Sequence, residues 1–241
     1  LTFVLVTLVL LLSSCSERSE YGKKSDYEKL GANTTETEGG TDTTAPTISS
    51  LSPTDNSTYK SPATTIAVIF SETISTSSIT TNTGDTTCSG SFQLSSDNFT
   101  TCVKMSATPS ASDNDKAFTA TPADNLSNGT TFKLRITTST KDTSSNSLVS
   151  TYTTNGFTTS PSGTGIIKGS VKVDNGSALS GVSVAFSIYG TTVATATSDS
   201  NGDFSQSSLS LGIYSLTYTK NDYLTASQSD TLASDNQTLL V

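Results

Sequence analysis

The run "TFKLRITT" sets Phe132, Leu134 and Ile136 against polar Lys133, Arg135 and Thr137. A period of two belongs to an extended strand with one face in a core; a helix would scatter those three apolar residues around its circumference. The pattern recurs along the chain. "TTIAVIF" puts Ile66, Val68 and Phe70 on one face and Ala67 and Ile69 on the other, as for a buried strand. "CVKMSAT" turns Val103, Met105 and Ala107 to one side, and "KAFTATP" adds Phe118 and Ala120. Turn-forming clusters separate these runs: Pro53-Thr54-Asp55-Asn56, Ser112-Asp113-Asn114-Asp115 and Ser127-Asn128-Gly129. Many short strands, regular turns and no sustained helical period define an all-β chain built as β-sandwiches.

Composition agrees with this architecture and narrows the function. More than a third of the 241 residues are Ser or Thr, and only 32% are hydrophobic. Disorder pairs low hydrophobicity with high charge, whereas only 14% of these residues are charged. Thr suits solvent-facing strand positions, so the abundance reads as a Thr-rich β surface. A formal net charge of −8 argues against nucleic acid and anionic membrane surfaces as partners. The sequence has no His, which removes His-based catalytic triads and most zinc and copper sites. No cofactor and no catalysis are expected.

The first twelve residues, Leu1–Leu12, are apolar or Thr, and Ser13, Ser14 and Cys15 follow. Twelve helical residues span about 18 Å, short of the roughly 30 Å of a hydrocarbon core. The length suits the apolar region of a secretory signal. Leu12-Ser13-Ser14-Cys15 resembles the bacterial lipobox, although the usual basic start is missing. The resemblance implies cleavage of a 1–14 signal peptide and lipidation of Cys15, and Ser16 after the Cys implies sorting to the outer membrane. Residues 15–44, rich in mixed charge, Gly, Asn and Thr, then read as a disordered tether.

Two resemblances organise the rest. "DTTAPTISSLSPTDNSTYKSPATTIAVIFSETI" and "NLSNGTTFKLRITTSTKDTSSNSL" resemble the bacterial Ig-like domain of surface-layer and other envelope proteins, over residues 45–160 in the domain plan. Ser145 stands where that family often carries Gly. After the linker 161–165, residues 166–241 resemble the carboxypeptidase regulatory-like domain, a small prealbumin-like sandwich. The marks are Gly169-Ser170-Val171, Leu179-Ser180-Gly181-Val182-Ser183-Val184, Asp199-Ser200-Asn201-Gly202-Asp203-Phe204 and Leu211-Gly212-Ile213-Tyr214. Asp222-Tyr223 replaces the more usual Gly-Tyr. The chain stops at Leu239-Leu240-Val241, which reads as the start or middle of a final strand, so truncation is expected. Neither family brings catalytic residues. The linker "TTSPSGTG" is expected to be flexible and the two sandwiches to fold separately.

With Cys15 assigned to lipid, Cys88 and Cys102 remain as a pair in an exported chain, and a structural disulfide is expected between them. Val103 and Met105 facing the core would leave Cys102 on the other face and the bridge near the surface, open to reductant. Other candidate groups have plain explanations. "DSNGDF" (199–204) offers Asp199, Asn201 and Asp203 for a weak cation. Its Gly precedes Asp203 and no later Glu completes an EF-type loop, so a hairpin turn with positive φ at Asn201 and Gly202 is favoured. Glu72 is a lone carboxylate with no partner at a defined spacing. Asn56, Asn98 and Asn128 fall in Asn-x-Ser/Thr triplets, which arise by chance in a chain of this composition.

The sequence therefore describes a non-catalytic, lipid-anchored cell-envelope protein whose sandwiches act as a spacer or adhesive surface. Its expected partners are the membrane, through the lipid, and an envelope polysaccharide or another surface protein. A polysaccharide- or solute-binding lipoprotein serving a separate enzyme or a further domain is the alternative. The absence of Trp, with only 7% aromatics, favours the first.

Overall fold

A computed structural model describes residues 41–241. The expected signal peptide, Cys15 and most of the expected tether lie outside the described residues. The first part of the chain forms β1 (Ile48–Ser52), β2 (Ile66–Phe70), β3 (Phe92–Ser95), β4 (Ser110–Ser112), β5 (Ala117–Ala120), β6 (Thr131–Ile136), β7 (Tyr152–Thr153) and β8 (Phe157–Thr158). The helical element among the described residues is one 3-10 turn, Thr76–Ser78. One sheet runs β1-β2-β5-β4 and the other β3-β6-β7, with β8 also on β6; the pairings are antiparallel.

Period two decides what faces inward. Ile66, Val68 and Phe70 of β2 meet Phe92 and Leu94 of β3 and Phe132, Leu134 and Ile136 of β6 in one core. Phe70 and Phe118 pack edge to face with centroids 6.0 Å apart, a favoured aromatic geometry. The opposite face of β2 is not buried as expected, because Ile69 is 38% exposed. "CVKMSAT" is not a strand. Val103 N–H donates to Leu94, Met105 forms one bridge to Pro122, and Ala107 is exposed. Met105 is nevertheless fully buried, so the apolar alternation reflects packing of a loop.

The second part forms β9 (Thr164–Ser170), β10 (Ser183–Ile188), β11 (Thr191–Thr197), β12 (Asp203–Ser210), β13 (Gly212–Thr219), β14 (Ala226–Leu232) and β15 (Thr238–Leu240). Its sheets run β11-β10-β13-β14 and β12-β9-β15, with β15 parallel to β9. Val184, Phe186, Tyr214, Leu216, Phe204 and Ile167 fill a separate core. The two sandwiches thus each bury their own apolar set.

Order begins close to the expected boundaries. Thr164 and Gly165 already belong to β9, and Ser160 is 2% exposed. At the other end Asn146 Nδ2 donates to the Asp42 carbonyl at 3.0 Å, docking the last residues of the expected tether onto the first sandwich.

Candidate functional site

Three carboxyl groups converge where the chain enters the first sandwich. Asp42 comes from the leading segment, Glu72 follows β2, and Asp142 lies in the loop after β6. One oxygen of each lies within 4.8 Å of the others. Antiparallel bridging of Ile74 to Asp142 brings the two strand ends together. Asp142 is buried and held by Asn146, whose backbone N–H and Nδ2 each donate to it at 2.7 Å. Glu72 is therefore not a lone carboxylate. Its partners were not legible in sequence because they stand at positions 42 and 142.

Desolvation and mutual charge set the electrostatics of the cluster. Desolvation raises the Glu72 pKa above its usual value, and the negative charges of Asp42 and Asp142 raise it further. At Asp142 desolvation also pushes upward, but the Asn146 side chain and the backbone N–H groups of Asn146 and Ser144 outweigh it, and the net shift is down. Glu72 is thus harder to ionise than an ordinary Glu, and Asp142 easier than an ordinary Asp. The three convergent carboxylate oxygens could hold a cation, with waters or backbone carbonyls supplying the rest of the six to eight oxygens that Ca²⁺ takes; both Asp142 oxygens also accept hydrogen bonds from Asn146.

"DSNGDF" is occupied by its own backbone. Asp199 Oδ1 accepts the N–H groups of Asn201 and Asp203 at 2.8 and 2.9 Å. Of the two turn residues expected at positive φ, Gly202 is there (φ 79) and Asn201 is not. A Cβ at Gly202 would lie 2.3 Å from the Val171 carbonyl oxygen, so this position requires Gly. Asn56 and Asn98 adopt left-handed φ of 61° and 55°, which Asn tolerates better than most residues. Asn98 also accepts from Lys133 Nζ, and Asn128 donates to the Ser160 carbonyl. All three have turn or packing roles.

Cys88 and Cys102 are joined in a disulfide across 14 residues. The enclosed segment includes β3, and its flanking residues pack against that strand's polar face. There Gln93 donates to the carbonyls of Gly90 and Cys88 and accepts from Arg135 Nε at 2.7 Å. Arg135 in turn lies 4.0 Å over the Phe99 ring, a cation–π contact. Asp97 anchors the loop by accepting from Thr101 and Ser95. Those bonds, led by the Thr101 hydroxyl, lower its pKa to about 2. Cys102 is only 2% exposed while Cys88 is half-buried, so one half of the bridge is more shielded than expected.

This architecture defines a tandem of two β-sandwiches. Residues 42–159 match the family model of the bacterial Ig-like domain, and residues 166–241 match that of the carboxypeptidase regulatory-like domain. The chain carries a bacterial Ig-like domain followed by a carboxypeptidase regulatory-like domain. Both are non-catalytic domain types, and the first is typical of bacterial surface proteins. A comparison with curated proteins finds no match. Among solved structures, the chain is similar to the N-terminal part of the bacterial S-layer protein SbsC (17% identity, TM-score 0.36, 78% of this chain and 44% of that one). It is also similar to BcpA*(D312A), the major pilin subunit of Bacillus cereus (16%, 0.25, 81% and 68%). A third is the MG0-NIE-MG1 region of Escherichia coli alpha-2-macroglobulin (14%, 0.33, 78% and 71%). The chain spans less than half the length of the S-layer structures it matches, and at these scores the likenesses carry no structural argument.

Proposed function

We propose that this chain is a lipid-anchored spacer of the bacterial cell envelope, with Cys15 as the lipid attachment point. The observation that carries the reading is the order of parts: an apolar run ending in Leu12-Ser13-Ser14-Cys15, then two non-catalytic sandwich domains in series. Multiple acyl chains hold a protein firmly where one holds it marginally. The folded tandem then stands off the membrane and offers Ser- and Thr-rich strand faces to an envelope polysaccharide or another surface protein. Ser16 supports placement at the outer membrane.

Metabolic labelling with a fatty acid in a bacterial host that processes lipoproteins tests the anchor. Label in the wild-type chain and none in Cys15→Ala is the expected result. Equal label in both, or none in either, contradicts it.

A further inference from the structure

The hairpin joining β10 to β11 turns through Tyr189 and Gly190, both at positive φ (54° and 78°). A two-residue turn of this kind favours Asn-Gly, and a bulky residue at its first position stores backbone strain. Tyr189 is also 47% exposed, so its own core gives it little in return. Its hydroxyl nevertheless has one specific partner: it donates to Ser160 Oγ at 2.5 Å, across the boundary between the sandwiches.

Ser160 is bound from the other side as well. Its N–H donates to the Lys60 carbonyl, and its own carbonyl accepts from Gly129 N–H and Asn128 Nδ2. Beyond it, Leu211 N–H donates to the Gly163 carbonyl, and Thr164 N–H donates to Asp235 Oδ1 at 2.9 Å. Gly163 packs so closely on Asp235 that a Cβ there would stand 2.8 Å from its oxygen. Pro161 and Ser162 are left between these two anchored ends, and the Pro ring fixes one φ.

We infer that Tyr189 is a clasp that locks the two sandwiches into one rigid unit, its strained turn position retained for this contact across the domain boundary. This deepens the spacer reading and rests on it for its biological meaning; a rigid junction transmits position and load where a hinged pair cannot. The sandwiches keep separate cores, so stiffness and folding are separable properties.

The test is a distance distribution between spin labels attached through ketone-bearing residues at exposed Ser112 and Thr195, one per sandwich, in the full chain. Wild type should give one narrow distribution, and Tyr189→Asn should broaden it about twofold, toward the independent motion expected of weakly joined domains. Because Asn suits the turn, the same variant should melt no lower than wild type in the second sandwich. Tyr189→Phe, which loses only the hydroxyl, should also broaden the distribution and guards against misfolding of the first variant. A broad distribution in wild type overturns the rigid junction. Narrow distributions in both folded variants overturn the role of Tyr189. Neither outcome depends on lipidation or on any binding partner, so failure here is distinguishable from failure of the spacer reading.

Discussion

The carboxylate of Asp55 accepts the backbone N–H of Gly156 at 2.7 Å across 101 residues of chain. Its other oxygen accepts both the backbone and side-chain N–H of Asn155, and Asn56 N–H donates to the Gly156 carbonyl. One side chain therefore ties the β1–β2 connection to the turn before β8. Hydrogen bonds to charged groups contribute about 1.5–3 kcal/mol each in favourable settings. Asp55→Ala should lower the stability of the first sandwich by about 2 kcal/mol, read as a lower urea midpoint at an unchanged slope. The second sandwich should be unaffected.

The disulfide closes a loop whose ends are 14 residues apart, and the chain-entropy model gives about 3 kcal/mol for that length. Paired replacement Cys88→Ser/Cys102→Ser should lower the melting temperature of the first sandwich by several degrees. Intact mass should show the bridge in exported protein. Shielding of Cys102 predicts slow reduction in the folded state and fast reduction in urea. Fast reduction of the folded protein would contradict the observed packing.

Two departures from the family patterns fall at backbone positions that explain them. Ser145 has φ 74° and Asp222 has φ 69°, the left-handed region where Gly carries no steric cost. Ser145→Gly should stabilise by about 1 kcal/mol. Asp222→Gly should stabilise by less, since Asp tolerates this region better than Ser. Thermal melts of the two single variants check both the sign and the order.

Two separate acidic groups, Glu72 in the cluster and Asp97 in the disulfide loop, give the first sandwich a pH signature of two signs. Glu72 has a raised folded pKa, so its stabilising contribution is full below its unfolded value near 4.5 and is lost as pH rises through the folded value. Glu72→Gln should therefore raise the melting temperature at pH 7 by roughly 2 °C, the scale of a modest surface charge effect. The difference should vanish below pH 4. Asp97 runs the other way: its contribution is present above about pH 4 and is lost as pH falls toward 2. Asp97→Asn should flatten the acid limb of the stability curve.

Legibility in the sequence followed the range of the signal. Period two along a single segment identified β2, β5 and β6 because the alternation is local: Phe132, Leu134 and Ile136 are all buried, as their spacing requires. It failed at "CVKMSAT", where Met105 reaches the core from a loop, since burial without a paired strand leaves the same apolar spacing. Nothing local could assemble Asp42, Glu72 and Asp142, or join Tyr189 to Ser160, because those contacts depend on topology. Ser145 and Asp222 lie between the extremes. The residue missing from each family pattern is visible in sequence, while the φ that gives it meaning is not.

The proposed anchor is a lipid on Cys15, and the mass of the protein extracted from host membranes tests it most directly. The expected result is a chain that begins at Cys15 and carries the added mass of its acyl groups. An unmodified Cys15 in the membrane-extracted protein, or a chain cut elsewhere, would contradict it.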